Sequence, residues 1–267
     1  MKKFLTRKGK HGGSAEKAGY RVANLQGIGT RQRQEDSFAF VNAMDAAAIR
    51  NKGMMFVVAD GMGGMRDGKL ASETAVSASK HLFQEMDREG DLAQQLRDGM
   101  FWAGDQVFQT LGGDGGSTIV ACILFRERLY FASVGDSFLY LQRDGELIRL
   151  NQEHNVQNGR YLEQIRSDNL DPVFLNNAPD TGALTQFLGM DGMDRIDCLR
   201  RPLCMQDGDI LLACSDGVGG VLSQQTIRSC MECGDPGDIC NALETEIIAQ
   251  RRNSQDNYTA LVVQCTY

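Results

Sequence analysis

Four short segments, far apart in the chain, each set an aspartate beside an apolar run: Glu35-Asp36, Asp60-Gly61-Met62-Gly63-Gly64, Ser215-Asp216-Gly217 and Asp256-Asn257. The runs Met54 to Ala59 and Ile210 to Ser215 lead into two of them, and Tyr258 to Cys265 follows another. Apolar runs of this length read as buried strands, which puts the carboxylates where strands meet the surface. An aspartate next to glycine is, alone, an ordinary turn former. Several carboxylates delivered to one sheet end repel each other unless a cation neutralises them. The chain is therefore expected to fold so that these segments cage divalent cations.

At 267 residues the chain is long enough to bury a proper core, and neither a repeat nor a low-complexity linker marks a boundary inside it. Residues 1–19, with Lys2, Lys3, Arg7, Lys8 and Lys10, read as a basic flexible tail, and 20–267 as a single domain. The net charge of −7 argues against nucleic acid as a partner. No apolar stretch follows the basic start, so neither signal peptide nor membrane anchor is expected. None approaches the roughly 20 residues of a membrane span, so no membrane association is expected either. The eight cysteines, several within apolar runs, read as reduced core residues in a cytoplasmic protein. Cys230-x-x-Cys233 with Cys240 is half of a zinc site that no second pair or histidine completes.

Periodicity places strands at Tyr20 to Gly27, Ser37 to Asn42 and Met54 to Asp60, then a helix from Leu70 with Leu70, Thr74, Ala78, Leu82 and Met86 inward. A second helix starts at cap Asp91 with Leu92, Leu96, Met100, Ala103, Val107 and Leu111 inward. Between Ser117 and Leu150 strands alternate with breaks too short for crossover helices, so the sheet is largely antiparallel. Residues 151–194 loosen into a polar excursion with one short helix, Val156 to Ile165. Strands at Ile196 to Arg201 and Asp209 to Ser215, helices from Ser223 and from Asp235-Pro236, and the strand from Tyr258 complete an α+β pattern.

Oxygen ligands without a histidine or cysteine set select magnesium or manganese over zinc. Two such ions can bind a bridging water, lower its pKa and aim it at phosphorus. A phosphoryl group also needs a cationic anchor, which the guanidinium fork suits. Arg31, four residues before Glu35, is the best placed, with Arg33 as its rival.

The ordered set Arg31-x-x-x-Glu35-Asp36, Asp60-Gly61-Met62-Gly63-Gly64 with Ala71-Ser72, Gly116-Ser117-Thr118, Val134-Gly135-Asp136-Ser137, Glu153-His154-Asn155, Leu184 to Gly189, Ser215-Asp216-Gly217 and Asp256-Asn257-Tyr258-Thr259 resembles the metal-dependent PPM-type (type 2C) protein serine/threonine phosphatases, in their bacterial form. The resemblance spans about residues 20 to 265. It implies a four-layer α-β-β-α sandwich, two central antiparallel sheets flanked by helix pairs, with a two-metal Mn²⁺ or Mg²⁺ centre at one end. By position, Asp60 would bridge both ions and Asp216 and Asp256 would complete one site, with the Gly61 carbonyl facing the other. Asp36 would support the second ion, with Glu35 beside it, and Arg31 would hold the substrate phosphate.

Three positions depart from the family. Met62 stands where many eukaryotic members carry a histidine thought to protonate the leaving group, which leaves water as the acid. Asp136 resembles a ligand of a third metal, but the aspartate expected four residues after Asp216 is Gly220, so a third site would be weak. The usual arginine after Gly-Asp-Ser is Phe138. Residues 151–194 correspond to the variable flap beside the family's cleft.

The leading expectation is hydrolysis of phosphoserine and phosphothreonine on proteins by a monomer, opposed by a serine/threonine kinase. The alternatives are a catalytically silent module of the same fold that binds phosphoproteins, and a phosphatase of a small phosphorylated metabolite.

Overall fold

The computed structural model describes residues 19–62, 67–168, 171 and 182–267, so the basic tail up to residue 18, Gly63-Gly64 and part of the 151–194 excursion lie outside the described residues. The apolar runs become strands of two antiparallel sheets. In the first, β1 (Gly19–Gly27), β11 (Tyr258–Thr266), β10 (Ile210–Cys214), β6 (Phe138–Arg143) and β7 (Glu146–Arg149) lie side by side in that order. The second runs β2 (Asp36–Val41), β3 (Met54–Asp60), β4 (Ile119–Phe125), β5 (Arg128–Val134) and β8 (Asp197–Cys198), with β9 (Leu203–Cys204) also on β5.

Strand β3 explains the layering. Its side chains alternate between two faces, yet all of Met54 to Ala59 are apolar and fully buried, because both faces are covered. Met54, Phe56 and Val58 pack in a core between the sheets with Leu211, Ala213, Leu261 and Val263. Met55, Val57 and Ala59 face α2 (Gly68–Glu85) and α3 (Leu92–Leu111), among Leu96, Met100 and Val107. On the outer face of the first sheet, Leu212, Cys214, Ala260 and Val262 meet Ile227 of α5 (Gln224–Met231) and Ile239, Leu243 and Ile247 of α6 (Pro236–Ala249). Helix pair, sheet, sheet, helix pair: the expected α-β-β-α sandwich is the observed one.

The helix starts with strong capping residues lie where the sequence places them. Asp91 accepts from the backbone N–H groups of Ala93 and Gln94, Ser223 from Thr226 and Asp235 from Gly237, each at a helix start. The inward face of α2 differs by about one position: Ala71, Ser72, Ala75, Ala78, Ser79 and Phe83 are buried, and Leu70 is exposed. Small residues there let the helix approach the sheet, with Ser72 Oγ 2.9 Å from Ser37 Oγ, and Leu82 instead lies against Gly99 of α3. Helix α1 (Ala46–Lys52), capped by Asp45, was not anticipated. The strand expected over Ile196 to Arg201 shrinks to β8, and Cys204 and Cys233 are exposed instead of in the core, although all eight cysteines are free.

Candidate active site

The antiparallel registers bring the aspartates together. Asp36 opens β2 directly opposite Asp60, which closes β3. In the other sheet, Ser215 and Asp216 leave β10 beside the start of β11, with the Ser215 N–H donating to the Thr259 carbonyl at 3.0 Å. These strand ends meet at one edge of the sandwich. There a cleft of about 210 Å³ is lined by Arg31, Glu35, Asp60, Gly61, Met62, Thr118, Asp136, Gly182, Leu184, Asp216 and Asp256. Seven of the eight residues singled out from the sequence, all but the deeper Asp36, line this cleft, and Arg33 does not.

Backbone geometry fixes the turn after β3. A Cβ on Gly61 would stand 1.9 Å from the Gly68 carbonyl oxygen and 2.8 Å from that of Glu35, so only glycine fits. The Thr118 N–H donates to the Asp60 carbonyl at 2.8 Å, and the Asp60 N–H to Thr118 Oγ1 at 3.2 Å. On the other side, a Cβ on Gly217 would meet the Asn257 carbonyl oxygen at 1.8 Å. The segment before β2 is tied across by Asn257, whose Oδ1 accepts from the Glu35 N–H at 2.8 Å. Ser72 Oγ donates to the Glu35 carbonyl at 2.5 Å.

Asp36 is fully buried, and its Oδ2 accepts from Ser215 Oγ at 2.9 Å and Thr259 Oγ1 at 2.7 Å. Burial nevertheless lifts its pKa to about 6, those two hydrogen bonds pulling the other way. Burial, and then the charges of Asp36, Asp216 and Asp136, push Asp60 well above the usual carboxyl range. Asp216 is raised by burial and by Asp256. Asp136 is raised to about 7 by burial, with Asp216 and Glu153 adding to it. Such an acidic group holds protons tightly because each charge is placed beside another in a dry setting.

Do these residues suit a divalent cation? The Oδ1 atoms of Asp36 and Asp216 are both out of solvent and without a hydrogen-bond partner. Unpartnered buried carboxylate oxygens are costly and are the hard donors that Mg²⁺ and Mn²⁺ select. The donor set therefore fits. The carboxylates converge without opening into a finished cage: among the described residues no three acidic, histidine or cysteine side chains are already gathered as an ion-holding group. The charges of Asp36 and Asp216 bear on the buried Asp60 carboxylate, and Asp256 Oδ2 is engaged by Arg31 Nη2 at 2.5 Å. Gly220 follows the short turn Asp216–Gly219 as an exposed residue with no side chain to offer.

Residues that the sequence reading assigned no role also build the site. Ser215 and Thr259 orient the Asp36 carboxylate, Thr118 holds the Asp60 backbone, and Leu184 and Gly182 form a wall. All but Gly182 sit within motifs quoted above, and membership of a motif was the available signal.

Comparison with known proteins gives a consistent result. Residues 20–171, more than half the chain, match the family model described as Protein phosphatase 2C. Serine/threonine phosphatase stp of Listeria welshimeri is 27% identical over 220 residues, covering 78% of this chain and 83% of that protein. The PPM Ser-Thr phosphatase MsPP from Mycobacterium smegmatis, solved in complex with cacodylate, superposes with a TM-score of 0.71 at 25% identity, over 91% of this chain and 97% of that one. The catalytic domain of serine threonine protein phosphatase PstP, solved in complex with 2 manganese ions, has a TM-score of 0.71 at 24% identity, over 93% and 99%. At that identity the likeness to PstP is one of fold. Sandwich, family match and relatives agree that the chain belongs to the protein phosphatase 2C family, as a bacterial PPM-type metal-dependent protein serine/threonine phosphatase.

Proposed function

We propose that residues 20–267 form one catalytic domain that hydrolyses phosphoserine and phosphothreonine on proteins, using two Mn²⁺ or Mg²⁺ ions at the strand ends. The observation that carries this reading is the pair of buried, unpartnered carboxylate oxygens of Asp36 and Asp216 on either side of Asp60. When bound, the ions supply Lewis acidity and a water of near-neutral pKa. The two manganese ions of the PstP structure support this choice of metal.

Asp60, directly opposite Asp36 in the β2–β3 pair and within the field of Asp216, is the residue that would be suited to serve both ions. Asp216 and Asp256 would complete one position, and the Gly61 carbonyl would serve the other, with Asp36 and Glu35 supporting it. Asp136 would offer a third, weaker position, since Gly220 adds no carboxylate to it. Arg31, half-exposed at the cleft mouth, holds the phosphate by its fork and exchanges Asp256 for it. Met62 lines the cleft and has no proton to give, so the leaving alkoxide is protonated from solvent.

The test is release of phosphate from p-nitrophenyl phosphate and from a phosphothreonine peptide with Mn²⁺ present. Activity is expected to vanish with chelator and to fall about a hundred-fold or more in Asp60→Asn. No turnover by the Mn²⁺-supplied wild type on either substrate would falsify the proposal.

A further inference from the structure

Phe138, which stands where the resembling family usually carries an arginine, has a guanidinium against it all the same. Arg149 lies on β7, paired with Tyr140 of β6, and its Cζ sits 4.3 Å from the centroid of the Phe138 ring. Its Nη1 donates to Glu153 Oε1 at 2.7 Å, in a pair whose side chains are about three-quarters buried, at 24% and 23% exposure. Nε and Nη2 are out of solvent with no hydrogen-bond partner. A guanidinium with desolvated, unmet donors adds little net stability, so packing alone does not account for it.

Glu153 is the start of a polar chain. Its Oε2 accepts from Asn155 Nδ2 at 2.5 Å, and its carbonyl accepts from Asn158 Nδ2 at 2.6 Å. Asn155 Oδ1 in turn caps α4 (Val156–Arg166), accepting from the Asn158 N–H at 2.8 Å. The cap region is laced to the cleft wall: the Val156 N–H donates to the Ala183 carbonyl at 2.9 Å, the Thr185 N–H to that of His154 at 2.8 Å, and Asn155 bridges Leu184. Leu184 and Gly182 line the same cleft as Arg31 and Asp60. Helix α4 buries none of its own side chains, so hydrophobic packing does not fix its place. Polar ties must do so.

The structure assigns to Arg149 the role of a positioning residue: anchored on Phe138, it holds Glu153 and, through Glu153 and Asn155, sets the α4 start and the Leu184 wall against which a phosphorylated peptide lies. This rests on the phosphatase reading for its substrate. Its geometric content stands on the contacts alone.

The experiment compares wild type with Arg149→Met, Arg149→Lys and Glu153→Gln by amide hydrogen exchange and by kinetics with Mn²⁺. In Arg149→Met, exchange at 156–166 and 183–185 should quicken by about ten-fold while the strands stay protected. kcat/KM for a phosphothreonine peptide should fall about ten-fold, chiefly through KM, against less than about three-fold for p-nitrophenyl phosphate. Glu153→Gln should reproduce the pattern and Arg149→Lys restore part of it, since lysine keeps the charge and loses the flat stack. Unchanged exchange at 156–166 overturns the assignment, as does an equal loss on both substrates with a lowered Tm. If wild type turns over neither substrate, the phosphatase reading fails, while the exchange data still decide the anchor.

Discussion

A carboxylate in this cleft is useful only through what surrounds it. Asp36 makes the point: it is buried, gripped on one oxygen by Ser215 and Thr259, and left with a free oxygen on the other. Arg31 is its counterpart on the substrate side, drawn to Asp256 and thereby held more firmly protonated than usual. Replacing it by lysine keeps the charge and removes the planar fork, so kcat/KM for a phosphopeptide is expected to fall about ten-fold or more, mostly in KM, in steady-state assays. The aspartates themselves were legible in the sequence because each abuts an apolar run or a glycine. Ser215, beside Asp216, and Thr118 and Thr259, each inside a family motif, were visible only by that company, since hydroxyls serve turns and caps everywhere. Arg149 was not legible as part of the site: its partner Phe138 is eleven residues away in sequence, and only the β6–β7 pairing brings them together.

At the scale of elements, tight turns at strand ends place the chemistry. The turn from β10 into Asp216–Gly219 passes so close to the Asn257 backbone that Gly217 has no room for a methyl group. Gly217→Ala is expected to force the two segments apart, costing about 1–3 kcal/mol and lowering activity further than stability, as Asp216 and Asp256 move together with them. Thermal melts beside kcat/KM check this. Strands and capped helices were readable from periodicity and from Asp91, Ser223 and Asp235. The rotation of α2 was not, because its buried face is made largely of alanine and serine, which carry little hydropathic signal, while Leu70 is a surface leucine. Similarly β8 is held by pairing to β5 and not by its own apolar content.

On the scale of the whole molecule, the clustered carboxylates make stability depend on pH and metal. Asp36 at about 6 and Asp136 at about 7, with Asp60 and Asp216 also raised, bind protons more tightly folded than unfolded, where an ordinary carboxyl titrates near 3.8. Between those values the native state holds more protons, so stability falls as pH rises from about 4 through 7. The chelator-treated protein should therefore melt at a lower temperature at pH 8 than at pH 5.5. Mn²⁺ should raise Tm, and more so at pH 8, because ligands must shed protons to bind it. A Tm indifferent to both would show that the acidic group carries no strain for a cation to relieve. The sandwich itself was implied by motif order, while the pairing of helix faces to sheets needed the three cores to be seen. Half of the cleft belongs to each sheet: Asp36 and Asp60 to one, Asp216 and Asp256 to the other. Alignment of the two layers is thus a condition of turnover, and a slight slip at Phe56 against Leu211 would silence the enzyme while every helix and strand persisted.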